Sequence, residues 1–204
     1  MSPEPNLYVV AAPSGGGKTS LVNALLQRDP RIRLSVSHTT RPPRPGEVDG
    51  VHYHFVDETT FSKLVEEGAF LEYARVYGHF YGTGRDSVTG HLAAGYDVML
   101  DIDWQGARQV RLSFPRCCSI FILPPSLEEL QKRLSRRGQD GADVIARRMQ
   151  QARSEMAHCR EFDFIVINDD FAAALEDIHS IVRRRTPVRP GQEGRITALL
   201  AELL

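Results

Sequence analysis

Four short stretches of this chain are almost wholly apolar or β-branched: LYVVAA (7–12), YDVMLDI (96–102), CSIFIL (118–123) and FDFIVIN (162–168). None alternates cleanly between polar and apolar positions. Strands covered on both faces look this way, so the four predict a parallel sheet. Around them the period changes. SLVNALLQR (20–28), WQGARQVRLSF (104–114), SLEELQKRLSRR (126–137), ADVIARRMQQARSEMAHCREF (142–162) and FAAALEDIHSIVRRR (171–185) space their apolar residues as amphipathic helices do. Ser126 stands where a helix N-cap belongs. Strands alternating with helices imply an α/β fold, a doubly wound sheet with right-handed crossovers.

One region breaks the rhythm. From about Arg33 to Ala94 the chain is richer in Thr, Tyr, His, Gly and Pro, alternates in VHYHFV, and holds a single helix-like stretch, ETTFSKLVEEG. An inserted β-rich subdomain fits that composition. The organisation expected is a core over 5–36 and 95–185, a subdomain over 37–94, and a linker with a short final helix over 186–204. The helix RITALLAELL would pack on its own chain or on a second copy, making a homo-oligomer possible.

Between the first strand and the first helix lies AAPSGGGKTSL (11–21). Ala12, Pro13, Ser14, Gly15, Gly16, Gly17, Lys18 and Thr19 match G-x-x-x-x-G-K-[ST] everywhere but at the first glycine, where Ala12 stands. The mechanism survives that change. Backbone N–H groups of Gly15, Gly16, Gly17 and Lys18 would turn inward around an anion, and the helix beginning near Gly17 would aim its positive end there. Lys18 would reach the β and γ phosphates of ATP, and the Thr19 hydroxyl would bind hydrated Mg²⁺. An ordinary Gly-rich turn is the alternative.

The 204 residues suit one core with an appendage, and 25 Lys plus Arg against 26 Asp plus Glu give a formal charge of −1. That balance offers no basic surface for nucleic acid or a membrane, so phosphate binding must be local. Cys117, Cys118 and Cys159 lack C-x-x-C spacing and read as buried apolar packing. No signal segment or membrane-length apolar run is visible, which points to a cytoplasmic protein. His52 and His54 would share one strand face, but no further ligand completes a zinc site.

In SVSHTTRPPRPGEVDGVHYHF, Arg41 and Arg44 stand three apart among stiffening prolines. A phosphate between them would relieve their repulsion, with Tyr53 and Tyr81 completing the grip. Two solvated arginines on a surface loop would show the same letters. In FLEYA, Glu72 sits among apolar residues and needs donors. Guanine offers two adjacent ones, N1–H and its exocyclic amine, where adenine presents an acceptor at N1; Ser37 and Thr83 would bond the remaining edges. A surface carboxylate paired with an arginine is the competing account.

APSGGGKT, SVSHTTRPPRPGEVDGVHYHF, FLEYARVYGHFYGT, VMLDIDWQG, RLSRRGQD and VINDD together closely resemble guanylate kinase in its compact bacterial form, from about Leu7 to Arg185. The resemblance implies a P-loop NTPase-type core, a GMP-binding subdomain and a lid at about 133–148. It implies Mg²⁺-dependent, in-line transfer from ATP to GMP, and to dGMP, giving GDP in purine nucleotide metabolism. It places guanine against Glu72, Ser37 and Thr83 with Asp103 close by, and the GMP phosphate against Arg41, Arg44, Tyr53 and Tyr81. Asp101 corresponds to the acidic residue near Mg²⁺, acting through water. The lid arginines correspond to Arg133, Arg137 and Arg148, catalytic with Lys18, and Asn168 to the adenine side.

His38 stands where a smaller residue is expected, and no histidine is assigned a catalytic role because the acceptor is already an ionised phosphate oxygen. The Gly-rich stretches GQDG and GTGR are expected to act as joints for closure over both nucleotides. Two rivals remain at this stage: a guanylate-kinase-like module that binds phosphorylated peptides without catalysis, and a kinase for another nucleoside monophosphate.

Overall fold

The computed structural model describes residues 4–135, 142–186 and 193–203. Arg137, the GQDG joint and most of the expected linker, 187–192, lie outside the described residues. In chain order the elements are β1 (Leu7–Ala11), α1 (Lys18–Arg28), β2 (Ile32–Leu34), β3 (His38–Thr39), β4 (His54–Phe55), α2 (Glu58–Glu66), β5 (Phe70–Val76), β6 (His79–Gly84), α3 (Arg85–Ala93), β7 (Asp97–Asp101), α4 (Trp104–Ser113), β8 (Cys118–Leu123), α5 (Leu127–Ser135), α6 (Ala142–Met156), β9 (Phe164–Ile167), α7 (Phe171–Arg184) and α8 (Glu193–Leu203). A single 3-10 turn, Cys159–Glu161, separates α6 from β9. The larger sheet has the order β2-β7-β1-β8-β9 and the smaller β4-β3-β6-β5. The chain divides into two compact units, one of residues through Val9 with Pro30–Cys118, the other of Val10–Asp29 with residues from Ser119 onward.

In the first unit β2 runs parallel to β7, with Ile32 opposite Asp97 and Leu34 opposite Met99. Val98, Met99 and Leu100 are fully buried, as a strand covered on both faces requires. The smaller sheet contains a hairpin, β5 antiparallel to β6, whose turn uses positive φ at Tyr77 and Gly78. Strand β3 lies antiparallel to β6. Helix α2, capped by Asp57 accepting from Thr60 N–H at 2.7 Å, drives Phe61 against this sheet. Phe61 stacks on Phe70 and Phe80 with ring centroids 4.6 and 5.4 Å apart. Gly82 leaves room for them, since a Cβ there would come within 3.1 Å of both Phe70 and Phe61 and would press on both rings.

In the second unit β8 is buried along its whole length and runs parallel to β9, Ile120 opposite Phe164 through Leu123 opposite Ile167. Ser126 caps α5 as expected, its hydroxyl accepting from Glu129 N–H at 3.1 Å. Helix α1 buries Leu21, Val22 and Leu25. Asp29, just past its end, accepts from Arg183 of α7. Cys159 here, and Cys117 and Cys118 in the first unit, are buried thiols outside any disulfide. Ile196, Leu199 and Leu200 of α8 are likewise buried, so the apolar face of the last helix is covered by its own chain.

Within the sheets and the inserted region the structure differs from the sequence expectations at four places. A fifth strand, β2, extends the larger sheet; IRL is too short, with Arg33 in its middle, to stand out as apolar. The inserted region holds a second helix, α3. Only Val88 of RDSVTGHLA is buried, which leaves no apolar stripe to read. The alternation in VHYHFV yields only the two residues of β4. GTGR is a direct junction, β6 ending at Gly84 and α3 starting at Arg85, with no loop between them.

Candidate functional site

Two groups of residues emerge, one in each unit. In the first unit, β5 and β6 set Glu72 opposite Thr83. Glu72 is buried, at 3% exposure, and its Oε1 accepts from the Thr83 hydroxyl at 2.6 Å. The Ser37 and Thr83 hydroxyls lie 3.4 Å apart. The three side chains that the sequence grouped are thus brought together, Glu72 and Thr83 on adjacent strands and Ser37 just before β3. Asp103 is the N-cap of α4, accepting from Gly106 N–H at 2.9 Å and from the Gln105 side chain at 3.0 Å.

Sequence reasoning missed two residues that place the carboxylate. Gly106 lies in the first turn of α4, and a Cβ there would overlap the Glu72 carboxylate. Its absence lets an anion approach the positive end of a helix. Gln109, one turn on, brackets β5 at the next residue: it accepts from Tyr73 N–H at 3.1 Å and donates to the Tyr73 carbonyl at 2.8 Å. In hindsight the signal for Gly106 was WQGARQV, a glycine inside a helical pattern.

The expected phosphate grip is differently arranged. Arg41 is half-buried and its Nη2 donates to both carboxylate oxygens of Glu47, at 2.8 and 2.9 Å, whereas the Arg44 side chain is exposed. Glu47 also accepts from Arg44 N–H at 2.7 Å. A carboxylate from the same loop, another residue missed from sequence, therefore answers the repulsion argument. Burial opposes the charge on Arg41, but the bonds to Glu47 outweigh it and hold its pKa above the ordinary value. Burial would push the Glu47 carboxyl up, yet those same bonds hold it below its usual range. The Arg41 guanidinium lies over the Tyr53 ring at 5.5 Å, and Tyr53 meets Tyr81 at 5.8 Å. Arg41, Tyr53 and Tyr81 converge; Arg44 joins them through its backbone.

His38, opposite Gly82 in the register, packs against His54 at 4.7 Å and Phe70 at 5.4 Å, and its Nδ1 is buried without a hydrogen-bond partner. Burial, then the neighbouring His54, lower its pKa against a smaller opposing pull from Asp49. Among the described residues no cluster of three or more His, Cys, Asp or Glu could hold a metal.

In the second unit the loop between β1 and α1 turns through positive φ at Gly15 and Gly17, 85° and 90°, and Gly17 is the N-cap of α1, which starts at Lys18. Gly16 N–H is turned to the Pro13 carbonyl at 2.9 Å, so it does not join the inward-facing donors expected of it. Ala12 is half-buried, Pro13 buried, and Thr19 exposed in the first turn. Ser14 is held by α6: its N–H donates to Glu155 at 3.1 Å and its hydroxyl accepts from Arg148 at 3.0 Å. Buried Asn168 donates its side-chain amide to the Gly16 carbonyl at 2.9 Å, and its own carbonyl accepts from Arg133 at 3.1 Å. Arg133 also donates to Glu129 at 2.9 Å. Arg133, Arg148 and Asn168 are therefore all linked to the loop, directly or in one step. Asp101 belongs to the first unit, at the end of β7.

A sequence model of the guanylate kinase family matches residues 4–185. Among curated proteins, the guanylate kinase of Nitrosococcus oceani is 57% identical over 199 residues, covering 98% of both chains. That of Vibrio cholerae is 54% identical over 200 residues, covering 97% of each. The crystal structure of guanylate kinase from Anaplasma phagocytophilum superposes with a TM-score of 0.75 at 32% identity, covering 96% of this chain and 93% of that one.

Proposed function

The chain belongs to the guanylate kinase family, and from that premise we propose that it transfers the γ-phosphoryl group of ATP to the phosphate of GMP, yielding ADP and GDP. The observation carrying the base assignment is buried Glu72, bonded to Thr83 beside Ser37. Its second oxygen and its charge suit the adjacent N–H donors of guanine, while adenine would set an acceptor against it. dGMP has the same base and phosphate and is a second acceptor.

Arg41, pre-oriented by Glu47, holds the GMP phosphate with Tyr53 and Tyr81, and Arg44 closes on it from the exposed side of the loop. Ala12 to Thr19 wrap the ATP phosphates, with Asn168 fixing the loop at the Gly16 carbonyl and contributing to the adenine side. Phosphoryl transfer asks chiefly for in-line positioning and for cancellation of the charge spread over the transferred group. Lys18, Arg133, Arg137 and Arg148 supply that positive charge. No general base is needed, because the attacking oxygen of GMP is already ionised.

Mg²⁺ fits hard oxygen donors, and the Thr19 hydroxyl is one, exposed in the first turn of α1. Thr19 would hold the ion, with Asp101 acting through water; Asp103 stays with the base. The ion supplies neutralisation of the ATP phosphates. Among the described residues no helix is long and apolar enough to cross a membrane, and we place the enzyme in the cytoplasm. A homo-oligomer through α8 would use its exposed face, because Ile196, Leu199 and Leu200 are buried.

The test is a coupled assay of ADP formation from Mg·ATP with GMP, AMP, CMP or UMP, beside a control without acceptor. Turnover with GMP alone is the expected result. Turnover with a different monophosphate would keep the kinase and remove the Glu72 argument. GMP binding without turnover would favour a non-catalytic binding module.

A further inference from the structure

Ser14 is the point at which α6 is fastened to the phosphate loop. Two residues of α6, Arg148 and Glu155, both bond it, the first through the hydroxyl at 3.0 Å and the second through the backbone N–H at 3.1 Å. They are seven apart, two helical turns, so both project from one face of the helix. The loop residue thus receives a cation and an anion from the same face. Neither contact follows from the phosphate-loop pattern, which demands nothing particular at position 14.

We infer that Ser14 and Glu155 are positioning residues for Arg148. The inference rests on the kinase reading, in which Arg148 neutralises the transferred phosphoryl group. An arginine side chain carries several rotatable bonds, and holding it in one geometry costs entropy at every turnover. The Ser14 hydroxyl fixes its guanidinium at the loop before the substrates arrive. Glu155 fixes the helix that carries it: a carboxylate accepting a backbone N–H makes a charge-assisted bond, stronger than a neutral one. The bond is directional, so α6 cannot roll about its axis without breaking it.

Two further features agree with a fastened loop. Gly15, next to Ser14, leaves only 3.0–3.1 Å between an added Cβ and Leu130 or Leu134 of α5, so the loop is also wedged from that side. Asn168 ties the Gly16 carbonyl. The loop is held at three successive residues, and at Ser14 the fastening is a direct bond from an arginine assigned to the reaction.

The experiment is a kinetic cycle with Ser14→Ala, Arg148→Ala and the double variant, together with Glu155→Ala and the conservative Ser14→Thr. Ser14→Ala and Glu155→Ala are each expected to lower kcat about tenfold, the value of roughly one charge-assisted bond, with KM for GMP nearly unchanged. Ser14→Thr, which keeps the hydroxyl, should restore most of kcat. In the Arg148→Ala background, Ser14→Ala should cost nothing further, since its effect runs through the arginine. Losses that multiply, or an effect of Ser14→Ala confined to KM for ATP, would overturn the inference. Amide exchange gives a readout independent of turnover: Ser14 N–H should exchange faster in Glu155→Ala than in the unaltered chain. Unchanged exchange would remove the clamp, whereas absence of GMP-dependent turnover in the unaltered chain would remove the kinase reading.

Discussion

Replacing Glu72 by Gln isolates the charge proposed to select the base. The substitution keeps volume and one oxygen, so the Thr83 hydroxyl, 2.6 Å from the Glu72 carboxylate, still has an acceptor, now an amide oxygen. What changes is the other edge. An NH₂ group faces the guanine donors in place of an oxygen, and a buried donor is left against another donor. Hydrogen bonds to a charged group are worth about 1.5–3 kcal/mol, and a buried unsatisfied donor costs about 1–3 kcal/mol. Taking about 3 kcal/mol in all, kcat/KM for GMP should fall by roughly two orders of magnitude. The melting temperature should hardly move, because the Thr83 bond survives and one buried charge is removed. The assay is kcat/KM for GMP and AMP, with thermal unfolding run on the same samples. A fall of less than about threefold with an unchanged GMP-to-AMP ratio would refute the reasoning. A large fall in stability would instead make Glu72 a structural residue.

Gly106→Ala should mimic that loss from outside the base site: the added Cβ overlaps the Glu72 carboxylate, which must move, so kcat/KM for GMP should drop about tenfold while KM for ATP holds. Equal effects on both substrates would count against it. Phe61→Ala empties the space between Phe70 and Phe80 and should cost about 3–5 kcal/mol in denaturant unfolding; a loss under about 1 kcal/mol would mean that the smaller sheet does not need α2. His38, whose pKa is lowered from 6.5 by burial and by His54, favours the neutral ring in the folded state. Its contribution is therefore fully present above about pH 6.5 and is lost as the pH falls through the lowered value. His38→Gln should flatten the decline in melting temperature between about pH 7 and 5, and an unaltered slope would exclude that histidine.

The four core strands and all the long helices were legible because each buries a face, and burial writes a period into the sequence. CSIFIL is the plainest case: six apolar or small residues become β8, buried at every position. Two elements that bury little wrote nothing. Helix α3 hides only Val88, and β2 spans three residues, so neither rises above its surroundings. Helix α6 was expected to reach Phe162 but stops at Met156, where the chain tightens into a 3-10 turn and His158 bonds Glu161 at 2.7 Å.

The candidate site divides along the same line. Groups that would face the nucleotides were legible because their chemistry restricts residue type: a lysine and glycines around a phosphate, a lone carboxylate among apolar neighbours, arginines among prolines. The residues that hold those groups were not. Glu47 holds Arg41 from six positions away, within the same loop, yet as a letter it is one acid among many. Glu155 reaches Ser14 across 141 positions and Asn168 reaches Gly16 across 152, and no local pattern encodes a bond of that span. Gly106 acts by having no side chain at all. A holding residue is defined by where its partner's backbone lies, and that position exists only once the fold has formed. Substitutions at Glu47, Glu155 and Gly106 therefore test the three-dimensional arrangement itself, where substitutions at Lys18 or Glu72 would test chemistry that the sequence already announced.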